Sequence, residues 1–345
     1  MPPPIPNPPP TATILHLSDL HLGKDTTDTG DSSRGTLISM LKQGGLKMQA
    51  HDPFILPSLS LNLRTAASRV HPSLRACDLN IVTGDISTNT SLQSRFDFAK
   101  EYLCGRVSFS STLSEGLGLP TEKLFCIPGN HDKLNREDLA DYNHAFGQLP
   151  AATPYRRSVN AGPGQQRFVI YGIDSNLYEE GNVALGRIYP ETHQWLGTEF
   201  EKVRNENASA ESAIRILILH HHPVDLNPFR RGSLIKYIRH TGRLTKLEDA
   251  DRLLRLCRDN IDIILHGHEH FPAAFTDETS NCVVVSAGTV SQWQPKQKVP
   301  NSFHILSFHG LILKITQFDW DGGRFDPAQT WQCDLGVHPR KLASV

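Results

Sequence analysis

The chain has 345 residues, 38% of them hydrophobic, and its 35 Lys and Arg nearly cancel 36 Asp and Glu to leave a net charge of -1. That is enough apolar material for one large α/β domain or two ordinary ones, and the near-zero charge excludes a global field that would gather nucleic acid or an anionic membrane surface. The six cysteines, Cys77, Cys104, Cys126, Cys257, Cys282 and Cys333, show no CxxC spacing, so they read as reduced core residues of a cytoplasmic protein rather than a disulfide framework or a zinc site.

In chain order, residues 1–11 are Pro-rich and read as a disordered or extended tail without the apolar stretch of a secretory signal. No apolar run reaches the roughly 18 residues of a membrane span, so no membrane partner is expected. The main domain is expected over residues 12–320. Within it, runs rich in β-branched residues predict strands at Ile14–Leu17, Leu79–Thr83, Leu124–Ile127, Phe168–Ile173, Ile214–Leu219, Ile261–Leu265, Cys282–Ser286 and Leu311–Phe318. Most are continuous apolar stretches, the signature of strands covered on both faces. Helical patterns at Leu92–Leu103 and Leu247–Arg258 fall between strands, the second with Leu253, Leu254 and Cys257 on one face. Alternating strand and helix predicts layered α/β architecture. Residues 23–60 and 225–245 fit neither pattern and follow candidate ligand motifs directly, so they read either as lids or substrate walls or as a pair of plain surface insertions. Residues 321–345 read as a loop-rich C-terminal tail.

Five motifs sit at the carboxyl ends of predicted strands, where an open α/β sheet collects functional side chains. They are Asp19-Leu20-His21, Gly84-Asp85, Gly129-Asn130-His131-Asp132, His220-His221-His222-Pro223 and His266-Gly267-His268-Glu269-His270. Carboxylate, imidazole and amide oxygen together form a borderline donor set that suits Mn, Fe or Zn better than an all-oxygen Ca or Mg cage. A carboxylate can bridge two such ions, and a pair of ions can hold a hydroxide and clamp a phosphoryl group. Any one motif alone would be uninformative; five in order are not.

This ordered set of DxH, GD, GNHD, HHP and GHxH resembles the calcineurin-like metallophosphoesterase superfamily over about Ile14 to Thr289. The resemblance implies a four-layer αββα sandwich of two mixed sheets flanked by helices, with a dinuclear centre of divalent or trivalent ions at the strand C-terminal edge. Asp19, His21 and His270 would hold the first ion and Asn130, His221 and His268 the second, with Asp85 bridging. His221 is chosen because the superfamily ligand lies two residues before the proline. Alternation along an extended segment should then turn His220 and His222 away, although one of them could contact substrate. His131 would protonate the leaving oxygen or stabilise transition-state charge, with Asp132 grouped beside it as catalytic. His16 and His266 are left to supporting or core positions.

The opening His16-Leu17-Ser18-Asp19-Leu20-His21-Leu22, with GNHD and HHP, is similar to class III cyclic-nucleotide phosphodiesterases, which implies a small phosphodiester substrate. His222, Arg230 and Arg231 are the candidate substrate contacts. An alternative is a DNA exonuclease of the same superfamily, for which Arg230, Arg231, Lys236, Arg239, Arg243 and Lys246 could follow a phosphate backbone. A second alternative is a non-catalytic protein-binding scaffold, but such scaffolds tend to lose ligands or the catalytic histidine, and here all are present.

Overall fold

The computed structural model describes residues 8–22, 55–87, 93–105, 116–133, 140–146, 153–177, 185–206, 213–226, 247–291 and 299–345. The first sheet contains the parallel strands β1 (Ala12–Leu17), β2 (Leu79–Thr83) and β3 (Leu124–Ile127). It continues antiparallel through β10 (Ser302–His309), β11 (Ile312–Trp320), β12 (Phe325–Asp334) and β13 (Ala343–Ser344). Its order is β13-β12-β11-β10-β1-β2-β3. The second sheet holds β4 (Tyr155–Ala161), β5 (Gln166–Gly172), β6 (Ile214–Ile218), β7 (Ile263–His266), β8 (Ala273–Thr276) and β9 (Val283–Ser286). Its order is β4-β5-β6-β7-β9-β8, with parallel strands inside and antiparallel edges.

Side-chain parity explains why these sheets stack. In β6, Ile214, Ile216 and Ile218 enter the core between the sheets, where they meet Ile14, Ile81 and Phe125 of the first sheet. Leu217 and Leu219 point the other way, to a core shared with Leu196 and Phe200 of α4 (Pro190–Glu206) and Leu253 and Cys257 of α5 (Ala250–Cys257). On the far side, Leu15, Leu17 and Val82 pack against α1 (Ile55–Val70), α2 (Gln93–Cys104) and α3 (Ala140–Phe146). Three apolar layers thus join four structural ones, helix, sheet, sheet and helix, and both central sheets are covered on two faces. The fold is the mixed α/β sandwich expected from the resemblance.

Several expectations are corrected. Residues 321–345 are not a loop-rich tail: β12 pairs along β11, and Trp331, Cys333 and Leu335 enter the core between the sheets. The strand escapes a search for apolar runs because only one face is covered, so buried Phe325, Trp331 and Cys333 alternate with polar residues. The same reason hides β4, whose sequence YRRSVNA is buried mainly at its two ends. At the amino end, Thr11 is tied in by its N–H donating to Phe308 O at 2.7 Å, so order begins before the expected boundary. Residues 55–60 of the first expected lid are the start of α1. Residues 23–54 and 227–246, with most of both expected lids, lie outside the described residues. All six cysteines are free, and among the described residues no helix is long and apolar enough to cross a membrane.

Candidate metal centre

The carboxyl ends of β1, β2 and β3 in one sheet and β6 and β7 in the other meet along one edge of the sandwich, and each continues into a ligand-bearing loop. Residues 19–22 are zipped onto 84–86 by backbone bonds: Asp19 N–H to Gly84 O at 3.1 Å, His21 N–H to Asp85 O at 2.9 Å and Leu22 N–H to Ile86 O at 2.8 Å. Such short reversals demand unusual backbone. Asp19, His21, Asp85, His268 and His270 have φ of 53°, 47°, 49°, 75° and 51°, a left-handed conformation that costs a non-glycine residue about 1–2 kcal/mol. Elsewhere among the described residues only Gln165, Asp259 and Asn281 share it without being glycine. Strain concentrated on five polar residues at one sheet edge marks a functional site.

The same loops need two glycines for close approach. A Cβ on Gly129 would collide with the Asp85 carboxylate and backbone N, and one on Gly267 would strike Ser18 Oγ and the Asp19 carboxylate.

Two donor groups form. In the first, Asp19, His21, Asp85 and His270 converge; His270 Nε2 lies 3.1 Å from Asp19 Oδ1 and 3.2 Å from His21 Nε2. In the second, Asp85, His220 and His268 converge, joined by Asn130, whose Oδ1 is 3.0 Å from both His220 Nε2 and His268 Nδ1. Asp85 serves both, with Oδ2 3.9 Å from His21 Nε2 and Oδ1 3.4 Å from His220 Nε2. The donor chemistry fits a cation at each group. His220 Nδ1 donates to Thr83 O at 2.7 Å, so its Nε2 can meet an amide oxygen and another imidazole nitrogen at 3.0–3.2 Å only with a proton or a metal ion between them.

His220, rather than His221, is the histidine in this group. His221 stands beside the group instead of in it: its ring centroid is 4.4 Å from that of His268, but its Nδ1 lies 2.9 Å from Ser175 Oγ and Gly186 packs against its ring. The reason is the parity of β6: the even-numbered side chains face the other sheet, so His220 continues the row of Ile216 and Ile218 toward Asp85, whereas His221 follows Leu217 and Leu219 on the other side, between Ser175 and the His268 ring. The apolar alternation of β6 carries that signal, whereas the distance to Pro223 does not.

The other expected residues are placed as follows. His131 borders the pocket, with Nε2 3.9 Å from Asp85 Oδ2, its ring edge-on to His21 and its backbone N–H donating to Asp85 Oδ1 at 2.8 Å. Asp132 does not reach the pocket. Its carboxylate accepts from the N–H groups of Gly129, Ile86 and Ser87 and from the Ser87 hydroxyl at 2.8–3.1 Å, which makes it a brace between two ligand loops. His222 is buried, 3% exposed, with Nε2 3.7 Å from Glu269 Oε1, so it is not an open substrate contact. His16 is buried and bonded to Thr83 Oγ1 at 3.0 Å, and His266 is buried beside its own loop. Arg230 and Arg231, with the rest of the cationic run from Lys236 to Lys246, lie outside the described residues. Thr289, missed in the sequence, supports the first loop by donating to Asp19 O at 2.7 Å.

The sequence model of the calcineurin-like phosphoesterase family matches residues 12–272, well over half of the chain. The chain belongs to that family. Similar solved structures include a predicted phosphoesterase from Streptococcus pneumoniae at 13% identity and TM-score 0.32, covering 97% of this chain and 98% of that one. TT1561 of Thermus thermophilus, at 11% identity and TM-score 0.42, covers 86% and 94%. The phosphopantetheinyl hydrolase of Mycobacterium tuberculosis, at 14% identity and TM-score 0.33, covers 81% and 90%. A search of curated proteins finds no significant match.

In this calcineurin-like phosphoesterase the electrostatics of the edge follow from burial against pairing. Burial alone would raise both carboxylates, but His270 draws Asp19 down to about 2, and His220 with His131 holds Asp85 well below the usual carboxylate range. Burial lowers His21 to about 3, and burial with the charge of His220 lowers His268 to about 4, which keeps their ring lone pairs available. His220 and His270 go the other way, since Asp85 and Asp19 respectively outweigh burial; His220 reaches about 9. In each donor group the carboxylates therefore pull one imidazole toward its charged form, a demand for positive charge that a bound cation would meet.

Proposed function

We propose that this calcineurin-like phosphoesterase is a dinuclear metal-dependent hydrolase of phosphodiesters. Asp19, His21 and His270 would hold one ion, Asn130, His220 and His268 the other, and Asp85 both. The observation that carries this reading is Asp85, whose two oxygens face separate donor groups. The borderline donors fit Mn, Fe or Zn. When bound, the ions would supply Lewis-acid activation of water and neutralise phosphoryl charge.

The chain's own residues do the rest. Asp85 anchors His131 through the backbone N–H at 2.8 Å, and the neutral ring, lowered in pKa by burial against the pull of Asp85, presents Nε2 at the pocket. An anionic phosphodiester beside it would raise that pKa and favour the protonated form, from which Nε2–H can pass a proton to the leaving oxygen. Asp132 keeps the loops bearing Asp85 and Asn130 in register. Cyclic nucleotides are the narrower substrate class, supported by the DLHL opening with GNHD and HHP, and the free cysteines favour a cytoplasmic setting.

Metal analysis of the full chain and hydrolysis of bis(p-nitrophenyl) phosphate with Mn, followed by cyclic nucleotides, linear oligonucleotides and glycerophosphodiesters, test the proposal. Two ions per chain and His131→Ala turnover lowered by about 10²–10⁴ with both ions retained are expected. A chain that binds no stoichiometric metal and hydrolyses none of these esters would overturn it. Preference for linear oligonucleotides would favour the nuclease alternative.

A further inference from the structure

The turn between β5 and α4 carries three residues absent from every motif, Asp174, Ser175 and Asn176, and it grips both loops of the second donor group. Asn176 Nδ2 donates to Pro128 O at 3.0 Å and to Asp174 Oδ1 at 2.6 Å; because both partners are acceptors, the amide orientation is determined. Beyond the Gly129–Asp132 segment, the ammonium of Lys133 bonds Asp174 Oδ2 at 3.3 Å, Asn176 O at 3.2 Å and the Tyr189 hydroxyl at 3.0 Å. The loop that presents Asn130 and His131 is therefore tied down at both ends by one turn. Ser175 holds the facing loop: its Oγ accepts from the His221 N–H at 3.1 Å and pairs with His221 Nδ1 at 2.9 Å, beside His220.

These groups are deeply placed. Ser175 and Asn176 are fully buried and Lys133 is 3% exposed. A buried ion pair is weak evidence for stability, since desolvation offsets its Coulomb attraction. Its arrangement here makes sense as geometry, because Asn130 arises from the first sheet and His220 from the second, and their 3.0 Å approach depends on how the two sheet ends are spaced. The first donor group shares Asp85 with the second and meets it where the His268 N–H donates to Asp19 Oδ2 at 3.0 Å, but it has supports of its own that the turn does not touch, the backbone bonds to residues 84–86 and Thr289.

We infer that Asp174-Ser175-Asn176, with Lys133, is a positioning turn that sets the spacing of Asn130 and His220 and thereby the affinity of the second metal ion alone. The inference rests on the dinuclear reading above. Partners that orient metal ligands typically change metal affinity by about 10–100-fold when lost.

The test is calorimetric titration of chelator-stripped full-length protein with Mn2+, comparing wild type with Asn176→Ala and Ser175→Ala, alongside thermal melts and kcat over a range of Mn2+. The expected result is two binding steps in the wild type, one unchanged within about twofold in the variants and the other weakened by about 10–100-fold, with turnover recovering at high Mn2+. Ser175→Ala removes a single hydroxyl and serves if Asn176→Ala does not fold. Equal weakening of both steps with a fall in Tm would reduce the turn to general stability and overturn the inference, as would two unchanged steps. A wild type that binds fewer than two ions would remove the dinuclear reading itself, a distinct outcome that takes this inference with it.

Discussion

Substituting each of two neighbouring histidines gives the sharpest check on the placement of the second ion. His220 contributes one of four convergent donors, with Nε2 3.0 Å from Asn130 Oδ1, 3.2 Å from His268 Nδ1 and 3.4 Å from Asp85 Oδ1. Loss of a partner that merely orients a ligand costs about 10–100-fold in affinity, so losing the ligand itself in His220→Ala should exceed that, leaving one Mn per chain at stoichiometric metal. His221 bonds Ser175 through Nδ1 and packs beside the His268 ring, outside the set of convergent donors. His221→Ala should keep two ions but destabilise the fold by about 1–3 kcal/mol, because a buried hydroxyl loses its ring partner. With an unfolding entropy of about 2.1 cal/mol/K per residue, a 345-residue chain has about 0.7 kcal/mol/K, so Tm should fall by about 1.5–4 °C. Elemental analysis after gel filtration counts the ions, and calorimetry reads Tm. The reverse pattern, one ion in His221→Ala and two in His220→Ala, would refute the parity reasoning from β6.

Three further expectations concern sites away from that pair. His304 is fully buried between the sheets, and burial lowers its pKa from 6.5 to about 3; its folded form resists protonation, so the stability it contributes is present above pH 6.5 and is lost as pH falls toward 3. His304→Phe should therefore narrow the stability loss between pH 7.5 and 5.0 by about 2 kcal/mol, at about 1.36 kcal/mol per pH unit below 6.5, measured by urea unfolding at both pH values; an unchanged difference would contradict it. Gly129→Ala should fold but lose metal and most activity, because the added methyl collides with the Asp85 carboxylate, whereas activity within twofold of wild type would show that the loop yields freely. Truncation after Trp320 should abolish soluble expression: it strips Phe325, Trp331, Cys333 and Leu335 from two cores, at about 1.5–3 kcal/mol for a large buried side chain, and removes Arg340, which bonds Asp262 at 2.6 Å. A monomeric truncated protein with native Tm would be the contrary result.

Much of the centre of each sheet was legible before any fold was known, because most strands covered on both faces are apolar throughout; β10, central and buried but carrying Ser302, His304 and Ser307, was not. In the first sheet Leu79–Thr83 is found where the run of β-branched residues puts it, and in the second Ile214–Ile218 ends one residue short of the expected Leu219. Strands with one wet face, β4 and β12, were not legible, since their alternation is diluted by polar residues and, in β12, interrupted by Pro327 at a register shift. Left-handed backbone at Asp19 or His268 leaves no mark in composition either, because nothing in an aspartate or a histidine announces positive φ.

That aspartates, histidines and an asparagine follow five buried strands can be read from residue type and strand character, which are local properties. Which histidine of three enters the pocket, that Asp132 braces loops instead of facing the pocket, and that Asp174-Ser175-Asn176 spans the two sheet ends were decided only in three dimensions. Those outcomes depend on which face of β6 meets the opposite sheet and on hydrogen bonds between residues more than 40 positions apart, such as Ser175 with His221 and Lys133 with Asp174. A chain alone carries no distance between such partners; the stacking of two sheets supplies it.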